Sequence, residues 1–189
     1  MLERDLTLEP SPRRERAAHH LASLGAESRL FQALRHPSKE VREASRRALD
    51  SHWFSEKGAI ASSQLLRAER AANAECFDEA LSILNELVNR HSDFADAYNR
   101  RAAVLWKMDR VGASMQDCQK TLRLNVLHYG AWLGLGLCHL ELGNYDEAVR
   151  CLKMYLSLHP YDVQAIHWLH QCTEISRLAA SVKERLPSP

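Results

Sequence analysis

The sequence predicts an all-α solenoid built by stacking helix pairs, and three observations carry that expectation. A phrase recurs: AECFDEALSILNELVNRHS, around Phe77, returns 68 residues later as LELGNYDEAVRCLKMYLSLHP, around Tyr145. A fainter copy stands midway with Val111 in the aromatic slot, so the period is 34 residues. Small residues repeat at one phase of that period, at Ala80, Ser114 and Ala148 and, twelve positions before each, at Ala68, Ala102 and Gly136. Nothing in FDEA or YDEA can cut or transfer a group, whereas small side chains at a fixed phase mark helices that touch closely.

Before the repeats, residues 1–16 are charged and proline-containing and are expected to form a flexible segment, and residues 17–58 a helical extension. In it AAHHLASLGAESRLFQALRH reads as helical, and Pro37-Ser38 with Glu40 downstream signals the start of the helix VREASRRALDSHWF. A lone helix pair cannot bury its apolar face, so Leu30, Phe31, Leu34, Val41, Leu49, Trp53 and Phe54 are expected to pack on the first repeat. The repeats follow at 61–94, 95–128 and 129–162, each read as two helices because apolar residues keep helical spacing, as in Leu81, Leu84, Leu87 and Val88 or Val149, Leu152 and Leu156. Gly143-Asn144 turns the third pair, Asp109-Arg110 the second, and Asn73 to Cys76 must turn the first without a glycine. Pro160 ends the third unit, since proline cannot donate the bond a continuing helix needs. Residues 163–185, with Val163, Ile166, Trp168 and Leu169, read as a terminal helix that caps the stack, and the final PSP is expected to fray.

The third unit resembles a tetratricopeptide repeat (TPR). Counting from Tyr129, the residues Trp132, Leu135, Gly136, Gly143, Tyr145, Ala148, Leu152 and Pro160 match the pattern, with His139 where tyrosine is usual. The second unit keeps Tyr98, Ala102, Leu105 and Leu124 but has Arg101, Asp109, Thr121 and Val126 at places of leucine, glycine, alanine and proline. The first unit departs at Gln64 and Arg67, and Leu87, Thr121 and Tyr155 all replace an expected alanine. LFQALRHPSKEVREASRRALD is similar to a single HEAT repeat, and the whole resembles small TPR proteins whose helical N-terminal extension ends in a tryptophan-phenylalanine pair before a glycine, here Trp53-Phe54 and Gly58. The resemblance implies a right-handed α-solenoid of three TPR helix pairs with an N-terminal helix pair and a C-terminal capping helix.

Composition narrows the function. The formal charge of +1 recruits neither nucleic acid nor an anionic membrane. Arg42, Arg46 and Arg47 on one helix, and Arg100, Arg101, Lys107 and Arg110 on another, have Glu40, Glu43, Asp96 and Asp109 nearby and are expected to be solvated faces. No run of eighteen apolar residues predicts a membrane span, and the first twenty residues read as neither secretory signal nor transit peptide, which points to the cytoplasm. The five cysteines, odd in number and without CxxC spacing, read as reduced and buried. His167, His170 and Cys172 lack the further ligand zinc would need, GAWLGLG interleaves its glycines with bulky residues rather than cradling phosphate, and no constellation supports catalysis, so no metal, cofactor or enzyme activity is expected.

A binding surface remains. In a TPR array the first helix of each pair lines the concave face, and the resemblance places Leu65, Glu69, Asn99, Ala103, Trp106, Lys107, Leu133, Leu137, Leu140 and Glu141 there. Much of that set is apolar, which suits a peptide or amphipathic helix with apolar anchors. TPRs that hold acidic chaperone C-terminal tails use lysines, arginines and asparagines at such positions; here only Asn99 and Lys107 qualify, so that partner is disfavoured. The leading expectation is a non-catalytic interaction scaffold or adaptor. The alternatives are a self-associating homo-oligomer whose groove is filled by the chain's own N-terminal helices or C-terminal cap, and a cysteine-dependent enzyme.

Overall fold

The computed structural model describes Arg4, Leu6, Thr7 and residues 11–185, and among these every regular element is helical. In chain order the helices are α1 (Ser11–Ser23), α2 (Glu27–Ala33), α3 (Lys39–Ser55), α4 (Gly58–Asn73), α5 (Phe77–Arg90), α6 (Ala95–Lys107), α7 (Val111–Leu124), α8 (Tyr129–Glu141), α9 (Tyr145–Leu158) and α10 (Val163–Arg185). The pairs α4/α5, α6/α7 and α8/α9 stack in order, and α10 packs on α9. This is an all-α solenoid of helix pairs.

Each pair turns by the same device. The amides of Cys76, Arg110 and Asn144 bond back to the carbonyls of Ala71, Leu105 and His139 at 2.9, 2.9 and 2.8 Å, and the residue before each of those amides is left-handed: Glu75 at φ 60°, Asp109 at φ 58° and Gly143 at φ 71°. This six-to-one bond over a left-handed residue satisfies carbonyls that the helix end would otherwise orphan. Only one of the three positions is the glycine that the geometry favours. The second helices end alike, with His91, Asn125 and His159 donating to Leu87, Thr121 and Tyr155 at 2.8 Å in each case. Those three side chains are buried although each is larger than alanine. Tyr155 is accommodated by donating to Asp162 at 2.6 Å, and Thr121 by donating to Asp117 O at 2.9 Å.

Between turns, the small positions carry the close approach. Ser114 Oγ reaches the Ala102 carbonyl at 2.8 Å, across the second pair. A methyl group at Gly136 would lie 3.3 Å from Leu152 Cγ and 3.4 Å from Cys151 Cβ, so its nearest neighbours sit about one turn beyond Ala148. The amphipathic face of α5 shows the result: Ala80, Ile83, Leu84, Leu87 and Val88 are all buried, while Asp78 and Glu79 lie in its first turn and Arg90 in its last, matching the helix dipole.

The N-terminal region departs from expectation in three ways. Leu6 is buried and α1 already begins at Ser11, so the flexible segment expected at residues 1–16 is not what Leu6 and residues 11–16 form. Residues 1–3, 5, 8–10 and the PSP end lie outside the described residues. The extension is three helices, because Gly25 at φ 69° closes α1 with the same motif, Ala26 N bonding to Leu21 O at 3.0 Å, before α2 starts. Pro37-Ser38 does start α3, with Ser38 Oγ accepting from the Val41 amide.

The third departure is the docking site. Leu30, Phe31, Leu34, Val41, Leu49 and Trp53 share a buried cluster with Tyr129, Leu152 and Tyr155 of the third repeat, whereas Phe54 alone of the expected set packs with the first. The Trp53 ring stacks on His128 at 4.5 Å, its Nε1 donates to Glu27 at 2.9 Å, and Tyr129 OH donates to the Asp50 carboxylate. Further along, Arg35 donates to Ser157 O at 2.5 Å and Arg42 lies 4.1 Å over the Tyr161 ring. The reason is length. A 17-residue helix is about 25 Å long, enough to cross neighbouring helices spaced about 10 Å apart, so α3 is a strap from the first repeat to the third.

Three outcomes are expected in urea unfolding. Gly136→Leu overpacks the third pair and loses about 1 to 3 kcal/mol; a parent-like midpoint would contradict the close approach. Glu75→Gly relieves a left-handed glutamate and gains about 0.5 to 1 kcal/mol after the entropy cost of glycine, whereas a loss would argue against the turn geometry. Trp53→Ala empties the strap's anchor and costs about 3 to 5 kcal/mol, a loss that an N-terminal region docked only on the first repeat would not give.

Candidate functional site: the groove on the first helices of the pairs

The first helices of the pairs, α4, α6 and α8, lie side by side, and two recesses open between them. One, of about 140 Å³, is lined by Glu69, Ala72 and Asn73 of α4 and Arg100, Ala103 and Lys107 of α6. The other, of about 230 Å³, lies between Asn99, Ala103, Trp106 and Lys107 of α6 and Gly130, Leu133, Gly134 and Leu137 of α8. Ala103 and Lys107 border both, so the recesses form one groove divided by α6. The depression exists because residues without bulk stand where α6 and α8 face each other. A methyl group at Gly130 would meet the Asn99 side chain at 3.3 Å, and one at Gly134 would meet Cys118 Sγ at 2.9 Å.

Seven of the ten residues expected in the groove line it: Glu69, Asn99, Ala103, Trp106, Lys107, Leu133 and Leu137. Trp106 is 41% exposed and Leu133 and Leu137 are half-buried, so their apolar surface is reachable. The other three are corrected. Leu65 is fully buried among Ala61, Ala68 and Leu84 in the cluster that Phe54 packs against, and no guest can touch it. Leu140, half-buried against the same core cluster as Leu133, lines neither recess. Glu141 is exposed at the last position of α8 but lines neither recess.

Arg100 and Gly134 line the groove without having been singled out for it. Arg100 was expected on a solvated face; instead it is held by Asp96 at 2.9 Å and Glu69 at 3.4 Å and lies 5.1 Å over the Phe54 ring. The Asp96-to-Arg100 spacing of one helical turn was the available signal. Arg101 is likewise not free: on the opposite side of the pair its guanidinium grips both oxygens of Asp117 at 2.7 and 2.8 Å and reaches Asn85 at 3.0 Å. Burial by itself would raise the pKa of the Asp96 carboxyl, but His128 at 3.5 Å and Arg100 outweigh it and hold the group below its ordinary range. His128, on which the strap's Trp53 stacks, therefore faces a fixed negative charge at the start of α6, where a carboxylate also suits the helix dipole.

The chemistry available is that of contact. Cys118 lies at the groove floor, and its hydrogen bond with Cys138 together with burial pushes its thiol well up, so at neutral pH it is not the thiolate a nucleophile requires, while Cys138, which the same bond draws down to about 7, is fully buried and lines neither recess. Cys138, Cys151 and Cys172 are also buried, whereas Cys76 is exposed, against the expectation that all five are inside. His167 and His170 are exposed while Cys172 is buried, and among the described residues no cluster of three or more potential ligands could hold a metal ion. The glycines of GAWLGLG lie within α8 rather than in a loop. No helix among the described residues is long and apolar enough to cross a membrane.

A family model described as "Tetratricopeptide repeat" matches residues 129–162. A TPR repeat-containing protein of Rhizobium etli is 26% identical over 107 residues, which are 57% of this chain and 52% of that protein. The chain thus spans about half the length of that curated relative, and less of others such as sperm-associated antigen 1 of Homo sapiens, where 26% identity over 148 residues covers 16%. Among solved structures, the first TPR of Spaghetti (RPAP3) bound to the HSP90 peptide SRMEEVD superposes with a TM-score of 0.59 at 16% identity, covering 61% of this chain and 91% of that one. Residues 129–162 thus match a tetratricopeptide repeat, and the 34-residue recurrence of helix ends and left-handed turns makes the stack similar in fold to solved TPR domains.

Proposed function

We propose that the chain is a non-catalytic interaction module that holds an apolar anchor of a protein partner, carried on a peptide or helix, in the recess between α6 and α8. The observation that carries this reading is the exposure of Trp106 beside the half-buried Leu133 and Leu137 over a depression floored by Cys118. Tryptophan supplies a large contact area at little entropic cost and is enriched among residues that dominate binding energy. Asn99 and Lys107 provide a polar rim that can fix a guest's backbone. The strap limits where a guest can lie. It meets His128 and Tyr129 at the start of α8, so the open part of the groove runs towards Trp106 and Leu137 in the later turns of α6 and α8.

An acidic chaperone tail fits this surface poorly. One cation of the groove, Arg100, already faces Asp96 and Glu69, and the recess beside Trp106 is walled by leucines and glycines. The first TPR of Spaghetti is bound to an HSP90 peptide; the groove here offers apolar contact instead. Five unpaired cysteines support a reducing, cytosol-like compartment.

Trp106→Ala is expected to lose on the order of 2 kcal/mol of partner affinity in capture from cell extract followed by titration, with thermal unfolding nearly unchanged. A loss of about 3 to 5 kcal/mol of stability instead would show that Trp106 is core. Titration with SRMEEVD is expected to show no saturable binding; tight binding would overturn the exclusion of acidic tails.

A further inference from the structure

The end of the stack carries a second surface. On its inner side α10 buries Ala165 and Cys172 completely and half-buries Trp168 and Leu169. Its outer side should be polar if it merely capped a solenoid. Instead Val163 is 79%, Ile166 47%, Ile175 40% and Leu178 65% exposed.

These four are not scattered. About a point between His170 and Gln171, Val163 mirrors Leu178, Ile166 mirrors Ile175, His167 mirrors Glu174 and Gln164 mirrors Arg177. At about 100° per residue, Val163, His167, Glu174 and Leu178 fall within about 60° of one another and form a seam, with Ile166 and Ile175 flanking it on either side. A helix with this mirrored pattern is complementary to its own antiparallel copy. The two-fold sets each Val163 level with a Leu178 and each His167 level with a Glu174, twice over, with apolar contacts at the ends and imidazole-carboxylate pairs in the middle. An unrelated guest would have no need of such symmetry, whereas an isologous contact has.

We infer that the outer face of α10 is a homodimer interface, in which two copies pair their terminal helices antiparallel about His170 and Gln171. The polar centre fixes the register: sliding one helix by a turn sets Val163 against a polar residue and leaves His167 and Glu174 unmatched, as buried polar positions do in coiled coils. The seam from Val163 to Leu178 is about 22 Å long, short for a permanent dimer, so association is concentration-dependent. The contact lies on α10, away from the groove on α6 and α8, and holds or fails independently of what that groove binds.

Sedimentation of the full chain over a wide concentration range is expected to show the mass rising from one copy to two. Leu178→Glu, at a position already exposed, should weaken the dimer by about tenfold or more without changing the unfolding midpoint. Register is read by cross-linking in a Cys76→Ser background. Val163→Cys mixed with Leu178→Cys should yield an intermolecular disulfide on mild oxidation, while Val163→Cys alone should not, its two copies being about 22 Å apart. A mass that stays at one copy, a dimer that survives Leu178→Glu, or Val163→Cys linking to itself as readily as to Leu178→Cys would each overturn the assignment.

Discussion

The fold depends on a helix reversal repeated every 34 residues. At Glu75, Asp109 and Gly143 the backbone enters the left-handed region, and the amide that follows bonds five residues back. That bond sets the angle at which the second helix leaves the first, and hence which side chains meet. Only with the angle fixed can Ser114 reach the Ala102 carbonyl, or Gly136 lie against Leu152. Two of the three turns accept an unfavourable L-residue, so tertiary packing must offset the strain. The groove is a consequence of the same geometry: its lining residues follow one another along helices whose spacing the turns have already determined.

The strap changes what that groove can be. A bare stack of three pairs would present its inner face from end to end. Here Trp53 and Asp50 of α3 meet His128 and Tyr129, and Arg100 is drawn between Asp96, Glu69 and the Phe54 ring. One end of the inner face thus becomes core and the other stays open. The two readings of the groove, occupied by the chain itself or free for a guest, describe different stretches of one surface.

Much of this was legible in the sequence because it follows from local rules. The period, the position of the turns and the inward phase of Ala68, Ala102 and Gly136 all depend on residues a few places apart. So does the placing of Asn99, Trp106, Leu133 and Leu137 on one face, since helical phase along α6 and α8 decides it. What was not legible depends on partners far away in the chain. Leu65 reads as a groove residue until Phe54, from outside the repeats, is packed on its cluster. Arg101 reads as solvated until the turn folds Asp117 back to it from sixteen residues further on. The destination of α3 was hidden for the same reason: the aromatic cluster of Trp53, His128, Tyr129 and Tyr155 is assembled from the extension, the last residue of the second unit and the third unit, and no local pattern announces it.

Linear repeat arrays ordinarily lose structure from their ends, because each unit is held only by its neighbours. This chain has an added tie. The bond from Arg35 to Ser157 joins residues 122 apart, and Tyr161 reaches back to the carbonyl of Arg35. Fraying of the last pair would have to break the strap as well, so the molecule should open as one cooperative body rather than by unzipping. The same tie delays assembly, since a loop of that length must close before its contacts are gained. A solenoid that could have folded by quick, local steps has thereby acquired the slower kinetics of a closed architecture.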